Sequence, residues 1–154
     1  MRLTLHTDYA LRLLMLLAME PGQIHTIEEV ARRYGISRNH LMKVTQTLVQ
    51  AGFIDSLRGR GGGLRLGQAP HSVNIGAVLR ATEDSFALVE CFDPLRNTCV
   101  LAPVCTLRGP IEEALAAFVA VLDRYSLADL VRNPGSLQQM RRLLAEDGAA
   151  PGSL

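Results

Sequence analysis

Thr26-Ile27-Glu28-Glu29-Val30-Ala31, then Gly35-Ile36-Ser37-Arg38-Asn39-His40-Leu41, then Arg58-Gly59-Arg60-Gly61-Gly62-Gly63-Leu64-Arg65-Leu66 are the stretches that decide the fold. In the first, a threonine is followed three residues later by a glutamate. This capping-box pattern predicts a helix with Ile27, Val30 and Ala31 on one face, closed at Tyr34-Gly35. After a short turn Ser37 can cap another helix, in which Leu41, Val44 and Leu48 recur at helical spacing until Gly52 supplies a left-handed stop. Phe53-Ile54-Asp55-Ser56-Leu57 and Leu64-Arg65-Leu66 then flank a glycine turn, which reads as strand, turn, strand. Helix, turn, helix and basic hairpin in this order predict a winged helix-turn-helix. The glycine run joins two strands and lacks the Gly-Lys-Ser/Thr ending of a phosphate-binding loop, so nucleotide binding is set aside.

Working outward, Thr7 or Asp8 can cap a first helix running to about Glu20, stopped by Pro21-Gly22 and apolar nearly all round, hence central and buried. Downstream, a helix is expected over Val73–Thr82, then an irregular Cys- and Pro-rich stretch from Glu90 to Val104. A long helix follows from about Pro110, a residue suited to a first helical position. In it Ile111, Leu115, Phe118, Leu122 and Tyr125 form a coiled-coil seam flanked by alanines that let a second helix approach. Ser126 and Asp129 are a capping pair for a short further helix. The expected organisation is a winged helix-turn-helix over residues 1–70, a connecting helix and cysteine loop over 71–108, a dimerisation helix and turn over 109–132, and a C-terminal helix with a Gly/Pro-rich flexible tail over 133–154. The fold class is mainly α with a small β wing.

A chain of 154 residues with 48% hydrophobic and 20% charged residues can bury a core without staples, so disorder and a disulfide scaffold are poor readings. The net charge of +1 conceals an asymmetry. Up to Leu66 nine Arg or Lys oppose five acids, and beyond it seven Arg oppose ten acids, giving +4 against −3. A basic half joined to an acidic half suits a nucleic-acid reader coupled to something else. The apolar run Leu13–Met19 is too short to span a bilayer, and Asp8 and Arg12 interrupt any export signal. A cytoplasmic, reducing setting without membrane attachment is expected.

In a helix-turn-helix the second helix offers its N-terminal residues to base edges in the major groove. Here those are Arg38, Asn39 and His40, followed by Lys43 and Gln46. Arg and Lys suit guanine, Asn and Gln suit adenine, and the hydroxyls of Ser37 or Thr47 suit phosphate. Arg58 and Arg60 at the hairpin tip would reach a neighbouring minor groove. Solvated helix and turn surfaces are the competing reading of the same residues.

Cys91, Cys99 and Cys105 lie within fifteen residues of a loop that precedes a helix. Thiolates in a loop can converge on a metal without breaking regular backbone pairing. No Cys-x-x-Cys pair occurs, which argues against a zinc ribbon or a thioredoxin-type dithiol, and no fourth ligand is nearby. Structural thiols, a redox switch and a metal site all stay open on spacing alone. No glycine-framed nucleophile or paired carboxylate supports an enzyme.

Thr7-Asp8-Tyr9-Ala10-Leu11-Arg12, the Gly35–Leu41 and Arg58–Leu66 stretches, the three cysteines and Ser126-Leu127-Ala128-Asp129-Leu130-Val131 together resemble the winged-helix iron-sulfur regulators. The likeness runs from about Met1 to Val131 and is strongest to the nitric-oxide-sensing repressors of that family. It implies a homodimer crossed through the long helix and a pseudo-palindromic double-stranded DNA operator. Each protomer would hold one iron-sulfur cluster, 4Fe-4S favoured over 2Fe-2S, by Cys91, Cys99 and Cys105. Asp8 of the partner protomer would complete the site, and nitric oxide attacking the cluster would release the operator. A second branch of the family uses a histidine three residues beyond the last cysteine, where this chain has Arg108. His6, His25, His40 and His71 are all remote in sequence from the cysteine loop, and His6 is the one rival to Asp8. A helix cap or dipole partner is the alternative role for Asp8. Seven residues separate Cys91 from Cys99, wider than the family spacing. The alternative within regulation is a winged-helix protein whose cysteines bind zinc or sense thiol oxidation or iron-sulfur status.

Overall fold

A computed structural model describes residues 2–145. The expected tail over 147–154 lies outside the described residues.

The first helix, α1 (Leu5–Met19), is the centre of the molecule. Ala10, Leu13, Leu14 and Leu16 are fully buried, as its all-round apolar pattern requires. It begins a turn earlier than the Thr7 or Asp8 cap expected from the sequence. Thr4, with extended backbone, is the N-cap, and its hydroxyl accepts from the Thr7 amide at 3.2 Å. Thr7 faces inward instead, its hydroxyl donating to that of Thr82 at 2.9 Å.

The helix-turn-helix follows as α2 (Ile27–Tyr34) and α3 (Arg38–Gln50). Thr26 caps α2 by accepting from the Glu29 amide at 3.1 Å. Both helices end alike. Ile36 donates to the Ala31 carbonyl and Gly35 to that of Arg32, and Phe53 donates to Leu48 and Gly52 to Val49, satisfying the last carbonyls through a left-handed glycine. Leu41, Val44 and Leu48 of α3 turn onto α1 and are buried.

The wing is an antiparallel pair, β1 (Ile54–Leu57) and β2 (Gly63–Leu66), in the register Ile54↔Leu66 to Leu57↔Gly63. Leu64 also pairs with His25, in the link before α2. A side chain at Gly63 would stand 2.7 Å from the His25 carbonyl oxygen, so this third pairing needs glycine there.

A 3-10 turn over Pro70–Ser72 leads to α4 (Ile75–Thr82), capped by Asn74. The helix expected from Val73 starts two residues later because the Asn74 side chain accepts from the Ala77 amide at 2.9 Å. After the cysteine loop, α5 runs over Arg108–Leu122. It starts two residues before Pro110, and proline is tolerated there because first-turn amides have no intrahelical partner. None of its residues is buried. The chain then returns through α6 (Leu127–Leu130), whose Ser126–Asp129 capping box forms as expected. Leu127, fully buried, donates its amide to the Val73 carbonyl at 2.8 Å.

The last helix, α7 (Pro134–Ala145), lays Leu137, Met140 and Leu144 against the core. Arg33 fastens it. Its guanidinium donates to the Leu144 carbonyl at 3.1 Å and to the Glu20 carboxylate at 2.5 and 3.0 Å. The hydrogen bond from Arg33 holds the Glu20 carboxyl below its ordinary range against the opposing effect of burial.

Candidate nucleic-acid interface and cysteine pocket

The two-layer arrangement of α1 beneath α3 leaves the outer face of α3 in solvent. Ser37, Arg38, Asn39, His40, Lys43 and Gln46 are all exposed, as are Arg58 and Arg60 at the wing tip. The Ser37 hydroxyl makes no capping bond, so it is available to an external acceptor or donor. Arg38 is only loosely drawn to Glu28, at 3.7 Å, with both side chains largely in solvent. Arg65, by contrast, is held across the wing by Asp55 at 3.0 Å, leaving Arg58 and Arg60 as its outward cations. Thr47 is partly withdrawn: its hydroxyl lies 3.0 Å from His6 Nε2 and 3.3 Å from the Lys43 carbonyl. The arrangement offers a convex face of hydrogen-bonding groups with a basic hairpin beside it.

The three cysteines meet at the start of α5. Cys91, Cys99 and Cys105 line one pocket of about 200 Å³ with Val89, Leu107, Arg108 and Ile111. All three thiols are free, Cys91 and Cys105 half-buried and Cys99 exposed. Each has its own local support. Cys91 sits in a 3-10 turn over Glu90–Phe92, the Cys99 amide donates to Asn97 Oδ1 at 3.1 Å, and Cys105 lies three residues before the first residue of α5. The wide Cys91–Cys99 interval is closed by a clasp that spacing did not reveal. The Thr98 hydroxyl donates to Glu90 Oε1 at 2.6 Å, and the Thr98 amide bonds to the same oxygen. These bonds hold the Glu90 carboxyl below its ordinary range, the hydroxyl being the larger influence. The only sequence signal was a carboxylate and a hydroxyl placed one residue before each of the two cysteines.

Arg108, three residues beyond Cys105, is bound to Glu112 at 2.7 Å and lies 5.9 Å from the Phe92 ring centroid. Its guanidinium is raised above its ordinary value first by Glu112 and, more weakly, by Cys91 beside it. An arginine is no metal ligand, but it places a fixed positive charge beside the cysteine pocket.

Among the described residues no three Cys, His, Asp or Glu side chains are grouped as ligands of a single metal ion. Three thiols around one small pocket are compatible with the donor set of a multi-iron cluster, whose ligands stand on different irons. The donor set therefore fits such a cluster in kind, and the described lining of the pocket offers no fourth thiol and no histidine, only the Glu90 carboxylate already bonded to Thr98.

Asp8 is not among the residues lining this pocket. It is half-buried and paired with Arg12, the next turn of α1, at 2.6 Å. With Thr4 as the cap, the capping alternative for Asp8 falls away. His6 is turned to Thr47. His25 is buried between Glu20 and Glu29, at 3.2 and 3.1 Å. The His40 ring lies 6.3 Å from that of Tyr9, and His71 is exposed.

The family model Rrf2, described as an iron-dependent transcriptional regulator, matches residues 3–133. The chain belongs to the Rrf2 family. Within this family it is 51% identical over 144 residues to the HTH-type transcriptional regulator NsrR of Bacillus subtilis, covering 93% of this chain and 99% of that one. A namesake from Halalkalibacterium halodurans is 49% identical over 144 residues, with the same coverage. These alignments extend beyond Val131, past the motifs that carry the resemblance. Solved Rrf2-like folds include CymR, the global cysteine regulator of B. subtilis, with a TM-score of 0.67, 25% identity and 86% and 97% of the two chains covered. The T. potens IscR structure gives a TM-score of 0.68 at 22% identity, covering 86% and 87%. The chain is thus a transcriptional regulator of the Rrf2/NsrR type with a winged-helix fold, and its relatives are regulators, not enzymes. No described helix is long and apolar enough to cross a membrane.

Proposed function

We propose that the chain acts as a homodimeric repressor that senses nitric oxide through an iron-sulfur cluster. The observation that carries this reading is the gathering of Cys91, Cys99 and Cys105 around one pocket at the head of α5. Three thiolates would hold the cluster, with Asp8 of the partner protomer as the fourth ligand; 4Fe-4S is favoured over 2Fe-2S. Asp8 suits this role because its carboxylate reaches solvent and is not needed as a cap. His6 suits it less because its Nε2 already faces Thr47. An oxygen ligand is also the weakest link to sulfur-preferring iron, as a sensor needs. When bound, the cluster supplies iron open to attack by nitric oxide.

The α5 face of Ile111, Leu115 and Phe118, half-covered in one protomer, would cross its counterpart in the dimer. Two such protomers present two α3 helices to half-sites about one helical turn, ~34 Å, or a multiple of it apart. Ser37, Arg38, Asn39, His40, Lys43 and Gln46 would dock in the major groove, and Arg58 and Arg60 beside it. A change in the spacing of the two readers defeats simultaneous docking, and a coupling of ~1 to 3 kcal/mol changes affinity 5- to 150-fold.

The protein purified without oxygen is expected to be coloured and to contain iron and sulfide. Its dimer-plus-cluster mass should appear in native mass spectrometry, and it should lose operator DNA as nitric oxide is added. A colourless protein whose DNA binding ignores nitric oxide sinks this reading. Zinc in that colourless protein, or release by a thiol oxidant instead, would establish the alternative use of the same cysteines.

A further inference from the structure

Asp8 shares the first turns of α1 with two side chains that touch the recognition helix. His6 Nε2 lies 3.0 Å from Thr47 Oγ1, and the Tyr9 ring centroid lies 6.3 Å from that of His40, tilted by 37°. His6 and Tyr9 are three residues apart on α1, and His40 and Thr47 seven apart on α3, so each pair shares one helix face. The contacts cross, the earlier residue of α1 meeting the later residue of α3. They therefore pin α3 at its base-reading end and again two turns further on. Because the Thr47 hydroxyl also donates to the Lys43 carbonyl at 3.3 Å, its oxygen accepts from His6 Nε2–H.

The other side of the same turns is anchored to α4. The Thr4 amide and hydroxyl donate to Glu83 Oε1 at 2.8 and 3.0 Å, and the buried Thr7 and Thr82 hydroxyls are 2.9 Å apart. The cysteine loop leaves α4 at this clasp. The start of α1 is thus held between the helix that leads into the cysteine loop and the helix proposed to read DNA. Asp8 itself is directed along α1 to Arg12. A rigid helix cannot shift Asp8 without also shifting His6 and Tyr9.

The geometry points to His6 and Tyr9 as positioning residues through which the placement of Asp8 sets the placement of α3, by way of Thr47 and His40. This inference rests on the reading of Asp8 as ligand to the partner's cysteine pocket. Thr47→Val keeps the side-chain volume and removes the hydrogen-bonding oxygen, Thr47→Ser keeps that oxygen, and Tyr9→Leu removes the ring against His40.

For each protein, operator affinity and amide hydrogen exchange over residues 38–50 are measured with the cluster bound and after its removal. Thr47→Val is expected to keep the iron content and visible spectrum. Its ratio of affinities between the two states should shrink roughly 2- to 10-fold, the net worth of one hydrogen bond. The difference in α3 exchange between the states should shrink with it. Thr47→Ser should restore both, and Tyr9→Leu should lower the ratio as Thr47→Val does. Wild-type ratios and wild-type exchange differences in both Thr47→Val and Tyr9→Leu overturn the positioning role while leaving the sensor reading intact. A wild-type protein with the same affinity and exchange in both states overturns the sensor reading and this role together.

Discussion

Two helices of fifteen residues, α1 and α5, are both rich in apolar side chains, yet they meet opposite fates. α1 is touched by α3, α4, α6 and β2 and buries seven residues, whereas α5 packs chiefly on α4 and buries none. The loop before α5 repeats the contrast, with Leu95 96% and Val100 90% exposed. Apolar surface left in water is unfavourable by roughly 25 cal/mol per Å², so the exposed apolar side chains of the α5 half are what the proposed dimer would cover. The reader completes its core within one chain. The half that carries the cysteines does not, and in the function proposed above its three thiols would likewise call on a fourth ligand from the partner protomer.

The largest expected effect tests this contrast directly. Leu48→Ala, in the fully buried face of α3, should cost about 2 to 5 kcal/mol in urea unfolding at any protein concentration. Leu115→Ala, half-covered on α5, should cost under ~1 kcal/mol in dilute protein and show its main effect as weaker dimerisation by analytical ultracentrifugation. Equal, concentration-independent losses at the two sites would erase the distinction between a closed half and an open one.

A smaller effect concerns how the reader is closed by α7. Glu20→Gln should cost about 2 kcal/mol, because the Arg33 guanidinium, only 10% exposed, loses its carboxylate. The Glu20 carboxyl is depressed in the folded protein, chiefly by the hydrogen bond from Arg33. Its stabilisation is therefore full above the ordinary value of 4.5 and is lost as the pH falls through the lower folded value. Melting curves between neutral and acid pH should show the variant's deficit shrinking over that interval. A deficit that grows on acidification would contradict the assignment.

The smallest effect sharpens the comparison from the cysteine-bearing side. Cys99 is exposed and belongs to no buried cluster, so Cys99→Ser should change the stability of the cluster-free protein by less than ~0.5 kcal/mol. The same substitution should abolish the visible absorbance of the anaerobic protein. A large stability loss without cluster would mean that the thiol is structural.

Local rules were legible wherever one element sufficed to express them. Thr26 with Glu29, Gly35, Gly52 and Ser126 with Asp129 all end or begin helices as their residue types require, because a cap is satisfied by backbone groups two to four residues away. Errors arose where two residues competed for one task. Thr7 and Asp8 were plausible caps for α1, but Thr4 takes the cap and Thr7 joins the buried bond to Thr82, seventy-five residues away. Asn74 took the start of α4 for a similar reason, its side chain also reaching the Asp123 carbonyl at 2.7 Å.

By itself the sequence determined the order of the main elements, the buried face of α3, the basic first half and the clustering of three cysteines in one loop. Periodicity, capping and charge act over a few residues and are written in the chain directly. Only the tertiary structure decided that the Glu90–Thr98 clasp closes the loop around one pocket, that Arg33 ties α7 to the reader, and that the turns bearing Asp8 touch α3 through His6 and Tyr9. Those contacts join residues far apart in sequence. Their existence depends on how the helices pack, which no local pattern specifies.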